Sequence, residues 1–319
     1  MHRSLAAVAA ATASLLIGLA APAVAVPDTH LVPAALDRGP DVRIPHLEGH
    51  TVVDGETRIR VHAGAVRLLG TSGRDYVVGT SDRSGTDHFR VLRLGPDGRR
   101  HVLLRGVPMW DVRLSGDGTQ LARARQDLNT VVRVWDSSNG HLQAQRRFRG
   151  AVSILDLDET RMVLGAWNPD RTFWWSTATD GTRRISDQPG YAARISADRV
   201  ATVTGDPYDG GCSVVRSLRR PGRPVWRSCH QRVQVFSPGS RRMATIPILT
   251  DGLGSRDVWL HSPGGRVLSH YTARLFGALQ WESDRALLLD TDGARRAATV
   301  RCVVNACESA SALRPVRTP

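Results

Sequence analysis

Carboxylates and guanidinium groups are the side chains of this sequence whose placement suggests chemistry. Asp82 and Asp87, Asp127, Asp170, Asp206 and Asp209, Asp251, and Asp290 with Asp292 recur in segments that separate apolar runs. Brought together, such groups bind Ca²⁺ through hard oxygen ligands or act as general acid and base. Asp206-Pro-Tyr208-Asp209-Gly-Gly is the densest of these segments and lies beside Cys212. The competing role is turn capping, because an Asp carboxylate accepts readily from nearby backbone N–H groups. A second set of turns carries arginine: Arg99, Arg100, Arg183, Arg184, Arg219, Arg220, Arg223, Arg241 and Arg242. The planar fork of arginine suits phosphate and carboxylate groups. Gathered on one face, these residues would attract a polyanion, or simply keep the surface solvated.

Other chemistries find little support. There is no Gly-x-Ser-x-Gly elbow, His-Glu-x-x-His helix, phosphate-binding glycine loop or Cys-x-x-Cys pair. His88, His101, His230, His261 and His270 are scattered without the spacing of a ligand set. No catalytic, metal-binding or cofactor-binding residue is therefore assigned. The four cysteines fall symmetrically about turns, Cys212 and Cys229 about Arg220-Pro221, and Cys302 and Cys307 about Val304-Asn305. Of the three possible connectivities, 212 with 229 and 302 with 307 is the only one in which each bridge staples its own hairpin.

The elements that must position these residues are short strands. Residues 132–140, Val-Arg-Val-Trp-Asp-Ser-Ser-Asn-Gly, run a strand into an Asn-Gly turn. Turn pairs recur at Asp54-Gly55, Asp97-Gly98, Asn139-Gly140, Asp180-Gly181, Pro221-Gly222, Pro263-Gly264 and Asn305-Ala306, at a spacing of 41 to 43 residues. Each repeat also holds an inner turn, as in Leu114-Ser-Gly-Asp-Gly-Thr-Gln-Leu121 and Phe236-Ser-Pro-Gly-Ser-Arg-Arg-Met243. A period of roughly 40 to 45 residues built from strands marks propeller blades of four strands. With the strands of a repeat called a to d, the inner turn joins a to b and the outer turn joins c to d. The b-to-c and d-to-a loops then share the top face, where the aspartates fall, and the a-to-b and c-to-d turns share the bottom face, where the arginines fall. The expected fold is an all-β, seven-repeat β-propeller of four-stranded antiparallel blades, or six full blades plus an N-terminal hairpin, because the first repeat lacks convincing a and b strands. Phe173-Trp174-Trp175 is expected to place at least one ring in a core between blades.

Val132-Arg133-Val134-Trp135-Asp136 followed by Asn139-Gly140 resembles the end of strand c in a WD-repeat propeller, and Phe236-Ser237-Pro238-Gly239 through Met243-Ala244 is similar to the repeats of TolB-type propellers. The resemblance spans about residues 45–312. It implies a secreted propeller and leaves function open, since propellers serve many roles.

Met1-His2-Arg3, an apolar stretch from Leu5 to Leu19 and Ala23-Val24-Ala25 have the pattern of a secretory signal peptide, 1–25. A Pro-rich, mobile leader (26–43), the propeller (44–312) and a C-terminal tail (313–319) are expected to follow. The formal net charge is +13, and every one of the 43 cationic side chains is arginine. No later run reaches the ~20 apolar residues of a membrane helix. These features together lead to a secreted or cell-envelope monomer, outside the cytoplasm. It would be a non-catalytic binding or scaffold module engaging an envelope protein or an anionic cell-wall polymer, with no nucleic acid expected. The alternative is an extracellular propeller hydrolase or lyase with its site at Asp206, Tyr208 and Asp209.

Overall fold

The computed structural model describes residues 28–316 apart from Ser240 and Leu253. The expected signal peptide at 1–25 lies outside the described residues. Short strands separated by tight turns fold into antiparallel sheets. The chain builds seven blades, as the repeat spacing predicts. Blade 1 has three strands, His46–Glu48, Thr51–Asp54 and Thr57–Arg60. Blade 2 comprises Ala65–Ser72, Asp75–Ser81, Arg90–Leu94 and Arg100–Arg105. Blade 3 comprises Val112–Leu114, Gln120–Gln126, Asn129–Asp136 and Leu142–Arg149. In blade 4 the strands are Ala151–Asp158, Arg161–Trp167, Arg171–Ser176 and Thr182–Ser186. In blade 5 they are Gly190–Arg194, Arg199–Val203, Ser213–Ser217 and Pro224–Ser228.

Blade 6 starts with Gln231–Phe236, Met243–Pro247 and Ser255–His261. The 15-residue strand Val267–Trp281 is its strand d at one end and strand a of blade 7 at the other. Leu287–Asp292, Arg296–Val303 and Ala306–Ser309 complete blade 7. The outer turns expected from the sequence are all c-to-d turns, and the inner ones are all a-to-b turns. Strands a of successive blades touch from 2 to 3 and from 4 to 7, whereas strand 4a meets blade 3 mainly through that blade's strand b. Strand a is therefore innermost.

Neighbouring blades bury their facing sides against each other. Between blades 3 and 4 the core holds Val132, Val134, Phe148, Met162, Leu164, Phe173 and Trp175, which places two rings of the aromatic triplet inside. Trp174 packs on the opposite side, against the core shared with blade 5. The largest cluster joins blades 6 and 7 around Leu260, Tyr271, Phe276 and Leu289. The smallest joins blade 7 to the crossing into blade 1 and has three buried members, Val42, Leu288 and Ala310.

The segment expected as a mobile leader is ordered from residue 28 onward. Asp28–His30 pairs parallel to 270–272 as an extra outer strand of blade 6, and Leu31 is buried in the blade 6–7 core. Arg38 bridges Ser309 of blade 7. The reason is that outer strands 6d and 7d each offer an unpaired edge, and Leu31, Leu36 and Val42 are apolar enough to be buried there. The expected tail also docks in part, with Arg314–Pro315 pairing against Arg296 and Ala297.

Closure of the ring rests on Arg301, whose side chain is 6% exposed. It donates to Glu282 Oε1 and Oε2, Glu308 Oε1 and the carbonyls of Pro40 and Asp41, all at 2.7 to 2.9 Å. Glu282 also accepts from the backbone N–H of Arg43. Burial is the largest single influence on the Glu282 carboxyl and would raise its pKa, but the hydrogen bonds from Arg301 and the Arg43 N–H, with the attraction of both positive charges, together outweigh it and hold the carboxyl below its ordinary value.

Two stability predictions follow from this arrangement. Arg301→Met leaves two carboxylates facing each other without their cation and should lower unfolding free energy by about 3 to 5 kcal/mol, read from the denaturant midpoint. Because the Glu282 pKa is depressed by folding, its stabilisation is complete above the unfolded carboxyl pKa and is lost as pH falls through the folded value. Wild-type melting temperature should therefore drop on acidification below about pH 4, and this component should be absent in Arg301→Met. Independently, Leu31→Ala should cost about 3 kcal/mol if the 28–36 segment is part of the fold.

Candidate functional site

Several of the aspartates expected on the top face are engaged locally, and Asp290 and Asp292 lie on strand b of blade 7 rather than in a loop. Asp206 is the cap of a short 3₁₀ turn, Pro207–Asp209, and its Oδ1 accepts from Tyr208 N–H at 2.9 Å. Tyr208 is exposed. Asp82 accepts from the Ser84 hydroxyl and from the backbone of Thr86 and Asp87, and the Ser84 bond is foremost in holding its carboxyl low. Asp290 and Asp292 are paired with Arg314. Among the described residues, no group of three His, Cys, Asp or Glu side chains is arranged to hold a metal ion. His261, buried at the blade 5–6 seam, lies within 3.1 Å of Thr245, Gln231 and the Gly265 carbonyl, and burial lowers its pKa.

Both cysteine pairs form disulfides, Cys212–Cys229 and Cys302–Cys307. The first ties the start of strand c to the end of strand d in blade 5. The second lies directly across the outer turn of blade 7.

The arginine set divides into groups with different surroundings. Arg100 Nη2 donates to the Arg60 carbonyl of blade 1, and Arg242 Nη1 to the Arg285 carbonyl of blade 7. These two tie neighbouring blades together, as do Arg93 with the Ser138 carbonyl and Tyr191 Oη with Val233 N–H. Arg99, Arg219 and Arg241 face Asp97, Asp198 and Asp284. Arg183 and Arg184 lie on the outer strand of blade 4 rather than in a turn, and Arg184 pairs with Asp187. Arg183, Arg220 and Arg223 form no ion pair among the described residues. An unbroken basic ring is thus interrupted by carboxylates and by backbone contacts.

Sequence reasoning did not point to the site at blade 1. Strand b of this blade, His46–Glu48, pairs with Thr51–Asp54 on one edge. No strand among the described residues pairs with its other edge. Beside that edge is a groove of about 520 Å³, lined by Leu47 of blade 1, Val66 and Leu68 of strand 2a, and Ala278, Gln280 and Leu288 of blade 7, with Trp110 at the rim. Strand 2a forms one wall, and Ala278 and Gln280 of strand 7a with Leu288, Asp290 and Thr299 of strands 7b and 7c form the other, closed by Val42, Pro45 and Arg314; the groove lies beside the position of strand 1a, which no strand among the described residues fills. Arg67 Nη1 donates to the carbonyls of Met109 and Trp110, fixing the loop that carries Trp110, whose side is 57% exposed. The weak inner-turn signal before residue 51 was the sequence sign of this gap, and only the topology shows that the gap is left open.

No family model and no curated protein matches the chain. Solved structures do resemble it in fold. A chain in the crystal structure of the mitotic checkpoint complex aligns over 96% of this chain and 90% of its own, at 15% identity and a TM-score of 0.57. Hsv2 from Kluyvelomyces marxianus aligns over 82% of this chain and 90% of its own, at 15% identity and a TM-score of 0.53. The β-propeller domain of Cps50 (Swd1) from Myceliophteria thermophila covers 78% of this chain and 87% of its own, at 11% identity and a TM-score of 0.50. These likenesses support a β-propeller fold.

Arginines that hold blades together should differ in effect from those that do not. Arg242→Ser should lower the melting temperature, whereas Arg220→Ser combined with Arg223→Ser should leave it unchanged, as thermal unfolding followed by circular dichroism will read.

Proposed function

We propose that this protein is a secreted, non-catalytic binding module of the cell envelope, acting as a monomer, and that it receives an extended segment of a protein partner in the groove of blade 1. The observation that carries this reading is the edge of His46–Glu48, unpaired among the described residues, beside a groove lined by strand 2a and by blade 7. An extended chain placed there would pair its backbone with that edge and set alternate side chains against Leu47, Val66, Leu68 and Leu288, the arrangement by which strand addition combines affinity with selectivity. The groove is within the size range of ligand sites, about 300 to 1,000 Å³.

Secretion is supported by the N-terminal sequence pattern and by two disulfides, which persist in oxidising compartments. No helix among the described residues is long and apolar enough to cross a membrane. A relation to TolB-type propellers is consistent with that compartment. The hydrolase or lyase alternative needs free, close carboxylates at Asp206 and Asp209, and the capping role of Asp206 works against it.

A photo-crosslinking amino acid at Leu47 or Trp110 should give a discrete protein adduct in the envelope fraction, and the same probe at Tyr208 should not. Ala278→Trp, which fills the groove, should abolish the adduct while preserving the melting temperature. Adducts of equal yield at Tyr208, or persistence in Ala278→Trp, would overturn the reading.

A further inference from the structure

A second feature, independent of the groove, lies on the side of blade 3 that faces blade 2. Leu121 and Trp135 on that side pack into the blade 2–3 core with Val77, Val91 and Leu104. Toward the top of the blade the same face changes character. Residues two apart on a strand share a face, so Arg123 and Arg125 on strand b follow Leu121, and Arg133 on strand c precedes Trp135. The register places Arg123 opposite Arg133, and Val131 lies between Arg125 and Arg147. Three strands thus present four guanidinium groups to one cleft of about 260 Å³, whose remaining lining is Asp127, Asn129 and Val131.

The countercharge is incomplete. Asp111 pairs with Arg123 at 3.2 Å, and Arg133 Nε donates to Gln145. Arg125, Arg133 and Arg147 form no ion pair among the described residues, and the buried Nε of Arg123 has no acceptor there. Like charges directly opposite on neighbouring strands are destabilising, so the cluster costs stability unless an anion relieves it. Packing within the blade does not require it.

We propose that this cleft binds phosphate groups of an anionic polymer. Its volume is below the roughly 300 Å³ at which pockets enclose a drug-sized molecule, and it suits a charged group projecting from a longer chain. The donors arrive from three strands, hence from several directions. A phosphate offers oxygens in more than one plane and meets such a set better than a carboxylate, whose two oxygens share one plane. Binding is electrostatic and therefore salt-sensitive.

Titration calorimetry of the purified chain with inorganic polyphosphate, at low and high salt, tests the site. Wild type should bind at low salt and weaken at high salt. Arg125→Ser with Arg147→Ser should weaken binding at least about tenfold, while Arg220→Ser with Arg223→Ser should bind as wild type does. Arg125→Lys with Arg147→Lys keeps the charge and loses the fork, and should fall between. Without ligand, the double serine variant should melt no lower than wild type, since it halves the positive charge gathered at the cleft and leaves the core untouched. Unchanged affinity in the serine variant, or a loss confined to the Arg220 and Arg223 variant, would overturn the site. Polygalacturonate binding as tightly as polyphosphate would overturn the choice of phosphate.

Discussion

The buried pair of Arg301 and Glu282 in blade 7 anchors the segment that leads into blade 1, through Pro40, Asp41 and Arg43, at the weakest joint of the ring. Other neighbouring blades meet through broad apolar clusters, but the joint between the last and first blades buries three hydrophobic residues. An ion pair removed from water is stabilising only where its geometry satisfies nearly every donor and lone pair. Arg301 meets that condition with two glutamates and two carbonyls. Since the carbonyls belong to Pro40 and Asp41, the charge network fixes the segment that leads into blade 1. Strength at this seam comes from polar groups because a three-stranded blade has too little surface to build a larger core.

The same shortage of strand explains the groove. A propeller whose blades all had four strands would line its axis with seven inner strands. Among the described residues six positions are filled, and the first repeat begins at strand b. An open edge inside the ring escapes the hazard that an outer edge carries, because neighbouring blades wall it off from other folded molecules. It leaves room for the extended segment proposed above. The outer edges of blades 6 and 7, which would be exposed, are covered by the N-terminal segment.

Charge is distributed by the same structural needs. Many arginines of the bottom turns either clasp the next blade or face an aspartate in a nearby turn, so a high net charge does not become a uniform basic face. The guanidinium groups of blade 3 are different, because three strands bring them to one side with only Asp111 and Asp127 nearby. Local inconsistency of that kind, costly to the fold and unexplained by packing, is where function is expected to leave its mark.

Sequence alone determined the propeller, the strand order within each blade and the cysteine pairing, because turn chemistry and strand alternation are local and repeat at a fixed spacing. The turns at Asp97-Gly98 and Asn139-Gly140 needed only a left-handed glycine in each, and both glycines have positive φ. Tertiary structure decided what local patterns do not encode. Residues 28–43 read as a leader because their apolar side chains follow no period, yet Leu31 and Val42 are buried by strands more than 200 residues away. Arg123, Arg125, Arg133 and Arg147 alternate legibly along their strands, but their convergence depends on cross-strand register. The groove depends on a position that no strand among the described residues fills, and only the ring, with blades 7 and 2 on either side, turns that position into a cleft.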